Sequence, residues 1–164
     1  MKIVAFPFID VVQTPIGKLV IKATSTHIHQ VCFDDDYTTP INSSPLTQLC
    51  SQQLSEYFVG KRQFFDLPLQ FDGTPFQQQV WNELLQIPYG TTLSYLTLAQ
   101  KFNDENLVRA VANANAKNNF AVLIPCHRVI ATDGKLTGYA WGLKRKRWLI
   151  DFEAKHAGTK LSLF

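Results

Sequence analysis

No apolar run in this chain approaches the ~20 residues that a bilayer-spanning helix requires, which argues against a membrane protein. Nothing in the opening residues reads as a secretory leader, since Met1-Lys2-Ile3-Val4-Ala5-Phe6-Pro7 is soon followed by Asp10. The expectation is a cytoplasmic protein. Cysteine is scarce: Cys32, Cys50 and Cys126 form an odd, widely spaced set that does not fit a disulfide framework and leaves thiols free in a reducing compartment. Metal ligands are equally thin. His27, His29 and Cys32 lie close in sequence, but a strand from Ser25 to Phe33 would put the two histidines on one face and the thiol on the other, so no metal site is expected. Charge is limited to a net +3 and is unevenly spread. Residues 1–72 hold 5 Lys/Arg against 7 Asp/Glu, and residues 73–164 hold 11 against 6, so the second half is the one suited to a polyanion.

What is present is enough apolar surface for a real core. The 164 residues are 46% hydrophobic, sufficient for one domain or two small ones. Ile3 to Val12 and Lys18 to Ala23 are rich in Val, Ile and Phe and flank the turn Thr14-Pro15-Ile16-Gly17; His27 to Phe33 makes a third strand, ending in Asp34-Asp35-Asp36. Leu46, Leu49, Cys50, Leu54 and Phe58 fall at near-helical spacing, with Gly60 placed to stop the helix. A composition change near Gln70-Phe71-Asp72-Gly73 suggests a boundary, giving domains over 1–71 and 72–164. Beyond it Thr74 and Pro75 open a helix with Phe76, Val80 and Leu84 on one face. Ser94 caps a short helix through Tyr95, Leu98, Ala99 and Phe102, and a turn at 103–106 leads to another through Leu107, Ala110, Val111 and Ala114. This is a helix-turn-helix candidate. Its second helix, Arg109 to Lys117, has one long side chain near its start and is otherwise mostly small, a shape suited to the narrow minor groove and not to reading base edges in the major groove.

Ile124-Pro125-Cys126-His127-Arg128-Val129-Ile130 is the place where a reactive sulfur is both shielded and supplied with a base. Pro125 turns the chain out of the apolar run Phe120–Ile124 and presents Cys126 at an element end. A thiol near pKa ~8.5 is only a few per cent ionised at neutral pH and needs a basic or cationic neighbour to become a nucleophile. His127 is the candidate base. A cysteine hydrolase and a helix-turn-helix transcription factor each account for part of this pattern.

Pro125-Cys126-His127-Arg128-Val129-Ile130 resembles the active-site signature of the O6-alkylguanine-DNA alkyltransferases. Thr74–Trp81, Leu93-Ser94-Tyr95, Val108–Val111, Asn118, Thr137-Gly138-Tyr139, Gly142-Leu143, Trp148-Leu149 and Glu153 are similar to further blocks of that family in the same order. The resemblance implies an α/β fold: a small N-terminal α/β domain with a ribonuclease H-like sheet, then a mostly helical C-terminal domain with a helix-turn-helix. It implies irreversible, single-turnover transfer of an alkyl group from O6-alkylguanine, and from O4-alkylthymine, in double-stranded DNA to Cys126. His127 would act through a water and be oriented by Glu153, and Tyr95 would hydrogen-bond or protonate the purine. The target nucleotide must be flipped, because a nucleophile cannot reach a base atom inside the stack. Arg109 would fill the space it vacates, with Ala110, Ala112, Asn113 and Arg128 as further DNA contacts. Asn118, Val129, Tyr139, Ala140 and Trp141 would form the pocket. No cofactor, metal or nucleotide is implied, and a monomer is expected.

The chain departs from the family at several points: Ala112 and Trp141 stand where many members have glycine, Asn119 where many have proline, and Ala121 also lacks a proline. Trp141 and the absence of proline at Ala121 would narrow or reshape the pocket, so that methyl is accepted and benzyl-sized groups poorly. The run Lys144–Arg147 reads as a solvated helix face.

Overall fold

A computed structural model describes residues 5–158, and the chain divides into two compact units, Met1–Asp72 and Gly73–Phe164. In the first, β1 (Phe8–Thr14), β2 (Gly17–Ala23) and β3 (Ile28–Phe33) form an antiparallel sheet in that order. The β1–β2 hairpin needs Gly17 at φ 126°, and the Thr14 hydroxyl donates to the Gly17 carbonyl. β2 is the central strand, and Leu19, Val20 and Ile21 are all buried, so both of its faces are covered. Helix α1 (Pro45–Phe58) packs on the sheet. It starts with Ser44 and Thr47 in a reciprocal capping box, and it buries Cys50, Leu54, Tyr57 and Phe58.

Three sequence expectations shift here. The first strand begins at Phe8, and Ile3 and Val4 lie outside the described residues. β3 begins at Ile28, so His27 sits in the preceding turn with its ring on Thr26, and His29 Nδ1 lies 3.2 Å from Asp72. Leu49 is 41% exposed despite its apolar spacing, because Cys50, Leu54 and Tyr57 already fill the face that α1 turns to the sheet.

In the second unit α2 (Pro75–Leu84) opens with Thr74 and Gln77 in a capping box and Pro75 at the first position. Val80, Trp81 and Leu84 are buried, and the Trp81 indole donates to the Ala114 carbonyl at 2.9 Å. That bond ties α2 to α4. Ser94 caps α3 (Tyr95–Gln100), a tight turn follows over Glu105–Leu107, and α4 (Val108–Ala116) packs on α3. Together they make the helix-turn-helix. The two-residue strand β4 (Leu93–Ser94) runs parallel to β5 (Val129–Ile130), and α5 (Leu143–Ala157) ends at Gly158 in the left-handed conformation.

Phe120–Ile124 forms a buried turn, not a strand leading to the cysteine. Val122 holds φ 70°, a conformation that costs a β-branched residue about 1–3 kcal/mol and persists only where the surroundings impose it. Every residue from Phe120 to Ile130 is buried. Cys126 therefore sits on a rigid loop, at the start of a single tight helical turn, Cys126–Arg128, which leads into β5.

Candidate active site

The β4–β5 pairing sets Tyr95, one residue past Ser94, beside the segment that carries Cys126. A cavity of about 300 Å³ opens between them. Tyr95, Arg109, Ala112, Asn115, Cys126 and Tyr139 line it, with Val108, Ala116, Thr137, Gly138 and Ala140 completing the wall. Its surface is mostly apolar apart from a few converging polar groups, the usual composition of a ligand site.

Cys126 is 2% exposed. Burial pushes its thiol up to about 11, and the Asn118 amide and the Lys146 ammonium pull the other way. His127 is fully buried, and its Nε2 lies 2.7 Å from Glu153 Oε1. Burial lowers the imidazole pKa in spite of the carboxylate beside it, so the ring is neutral at pH 7. Burial also raises that of the Glu153 carboxyl, but the imidazole and the Arg128 guanidinium outweigh it and hold Glu153 well below the usual carboxylate range. A neutral imidazole next to a carboxylate keeps its proton on the facing nitrogen. Nε2 is thus the donor and Nδ1 the free base, and Nδ1 is buried with no hydrogen-bond partner in the protein.

Arg128 does not reach the surface, which corrects its expected role as a DNA contact. It is 6% exposed and clamps Glu153 through Nε at 2.8 Å and Nη2 at 2.9 Å, while Nη1 donates to the Ile87 carbonyl at 2.6 Å. The backbone N–H of Gly90 adds a longer bond of 3.4 Å to the same carboxylate. A buried Glu153 needs this number of donors, because an ionised carboxylate out of water is costly without partners.

Asn118 braces the loop before the cysteine: Nδ2 donates to the Phe120 and Ile124 carbonyls and Oδ1 accepts from the Phe120 N–H at 2.8 Å. Three expected wall residues do not line the cavity. The Asn118 amide is committed to that loop, Val129 is fully buried in β5, and the Trp141 ring packs edge-on against Tyr139 at 5.3 Å. Trp141 therefore bears on the pocket through Tyr139, which lines it. Arg109, Ala110 and Asn113 are exposed on α4, and Arg109, Ala110, Asn113, Thr74 and Gln77 border a second, open groove.

Lys146 and Asn115 also belong to the site, although no motif marks either of them. Lys146 is fully buried, not on a solvated face; Nζ donates to the carbonyls of Val129, Thr137 and Gly138 and lies 5.8 Å from the Tyr95 ring centroid. Burial lowers it to about 8, and the Cys126 sulfur opposes that fall. The signal was its spacing: Lys146, Leu149, Ile150 and Glu153 share one helical face. Asn115 likewise shares the buried face of α4 with Val111 and Ala114.

Two family models match the chain, the 6-O-methylguanine DNA methyltransferase DNA binding domain over residues 75–155 and the ribonuclease-like domain of the same proteins over residues 8–71. The chain belongs to the 6-O-methylguanine DNA methyltransferase family. It is 48% identical over 112 residues, 68% of each chain, to the methylated-DNA--protein-cysteine methyltransferase of Mycobacterium tuberculosis. With the probable methylated-DNA--protein-cysteine methyltransferase of Acanthamoeba polyphaga mimivirus it shares 40% identity over 154 residues, 90% of this chain and 97% of that one. The crystal structure of Mycobacterium tuberculosis OGT in complex with DNA matches with a TM-score of 0.81 and 38% identity, covering 89% of this chain and 92% of that one. Among the described residues no helix is long and apolar enough to cross a membrane, and no group of three or more His, Cys, Asp or Glu side chains is arranged to hold a metal.

Proposed function

We propose that this protein repairs alkylated DNA by direct reversal, moving the alkyl group of O6-alkylguanine, and of O4-alkylthymine, onto Cys126. The observation that carries this reading is a buried thiol on the floor of a cavity, followed in sequence by a neutral imidazole whose far nitrogen is held by Glu153. Transfer is displacement at a saturated carbon, so the site needs a thiolate and a way to stabilise the leaving base. His127 Nδ1, acting through a water, takes the thiol proton. The sulfur then bonds to the alkyl carbon, the C–O bond breaks, and its electron pair leaves with the purine. Tyr95 donates a hydrogen bond to the ring, and a proton from the imidazolium or solvent restores neutral guanine. A thioether does not hydrolyse, so each molecule acts once.

α4 enters the minor groove, where Ala110, Ala112 and Asn113 allow close approach and Arg109 fills the gap left by the flipped nucleotide. Tyr139 and Ala140 lie against the extruded base. Residues 72–164 thus carry DNA binding and transfer, and residues 1–71 are structural. The protein works as a monomer in the cytoplasm, without metal or nucleotide cofactor.

The test is intact-protein mass after mixing with duplex DNA containing O6-methylguanine. The native chain gains one methyl group, on Cys126, and Cys126→Ala gains none. Repeated turnover on acyl substrates with an unmodified protein would instead identify a thiol hydrolase, and an unmodified but sequence-specific DNA binder would be a transcription factor.

A further inference from the structure

Asn115 is an expensive residue to bury where it is. It is 5% exposed on the inner face of α4, yet Oδ1 has no hydrogen-bond partner in the protein, and Nδ2 makes one long bond, 3.4 Å, to the Tyr95 hydroxyl. A half-satisfied buried carboxamide is less stable than a leucine of the same size, so packing does not explain it. It borders the cavity beside Cys126.

The bonds around Tyr95 have a direction. A phenol has one proton to give and two lone pairs. The Asn115 N–H occupies a lone pair, and the Tyr95 O–H donates to the Thr137 carbonyl at 3.4 Å. That carbonyl is also served by Lys146 Nζ at 3.2 Å, so it keeps a partner when Tyr95 turns away. The phenol proton is therefore weakly held and free to move to a ligand, while an N–H donated to its oxygen strengthens the O–H as a donor.

We propose that Asn115 is a positioning residue that fixes Tyr95 as a donor toward the bound purine, with its open Oδ1 left to accept an N–H or O–H from the nucleotide. This rests on the reading that Tyr95 stabilises the departing base. Burial and the Cys126 sulfur push the phenol up to about 12, and the Asn115 bond opposes them, which agrees with the same direction of donation.

The experiment is a double-mutant cycle on the single-turnover rate of methyl transfer from duplex DNA containing O6-methylguanine. Asn115→Asp puts an acceptor where the donor was and turns the phenol proton inward. We expect it to slow transfer by about 10²-fold at pH 7.5, the lower range for a positioned proton donor. The deficit narrows as the pH falls toward 5 and the new carboxyl becomes a donor. Asn115→Leu, which keeps the volume, loses about tenfold. Neither change adds to the loss already caused by Tyr95→Phe. Unaltered rates, or equal losses with and without the Tyr95 hydroxyl, would overturn the proposal. A native protein that takes up no methyl group at all would sink the underlying reading instead.

Discussion

At the scale of single residues, the site solves one problem twice: a charge must be held where water is excluded. Glu153 does so with a bidentate guanidinium and an imidazole, and Lys146 with three backbone carbonyls. The two anchor opposite sides of the same tight turn, because Glu153 grips His127 and Arg128 while Lys146 grips Val129 and the loop at Thr137-Gly138. Lys146 is also a cation acting on the Cys126 thiol. Lys146→Met keeps the stem and removes the charge. The expected result is a Cys126 thiol that titrates higher and a transfer rate lower by about tenfold, the equivalent of one pKa unit. Stability should fall by about 1–3 kcal/mol from carbonyls left without donors. Thiol titration with an alkylating reagent, single-turnover kinetics and urea unfolding measure these separately. A normal thiol titration in the variant would show that Lys146 serves the loop alone.

At the scale of elements, α2 shows how a capping segment can govern a distant helix. Its Trp81 indole holds the last turn of α4, the helix proposed for the minor groove. Gly73 lies against that same indole: a Cβ added there would stand 2.6 Å and 2.8 Å from Trp81 ring carbons and 2.8 Å from the Gln77 side-chain oxygen that completes the capping box. The ring is buried and cannot swing away. Gly73→Ala is expected to cost about 1–3 kcal/mol, the usual penalty of overpacking, although the residue itself is exposed. Thermal unfolding would reveal the loss, and a fall in Trp81 indole N–H protection from hydrogen exchange would locate it. A neutral substitution would mean that the Trp81 ring has slack.

At the scale of the whole molecule, the buried ionisable groups make stability depend on pH in a defined sense. His127 is held neutral in the fold, so below its ordinary value of 6.5 the unfolded chain binds a proton that the native state does not, and stability falls with falling pH. Glu153 is held ionised, so a second loss begins below its ordinary 4.5. Lys146, lowered from 10.5 to about 8, acts in the same sense at the alkaline end, where stability rises with pH between those values. Unfolding free energies from urea titrations should therefore decline as the pH falls below 6.5, by at most about 1.4 kcal/mol per pH unit, the limit for one proton. His127→Gln should flatten that segment. A flat profile in the native protein would mean that the imidazole takes up its proton in the fold as it does in the unfolded chain.

Much of this molecule was legible in local patterns. The β1–β2 turn, the Thr74-Pro75 and Ser94 helix starts, the Gly60 stop and the helix-turn-helix are each set by neighbours within a few residues, and local propensity and capping act at that range. The Cys126-His127 pair stood out only through the motif around it, because a cysteine beside a histidine reads by itself as packing. What the amino-acid order left open was the environment of each charge. Arg128 reads as a DNA contact and Lys146 as part of a solvated run because a cation alone favours water. Only the packing of α5 against the Cys126 turn supplies the carboxylate and carbonyls that make their burial favourable. Trp141 reads as a pocket wall and instead backs Tyr139, and Asn115, which no local pattern marks, meets the Tyr95 hydroxyl. The direction of a side chain, and what it meets there, depends on contacts between residues far apart in sequence, and those exist only once the chain has folded.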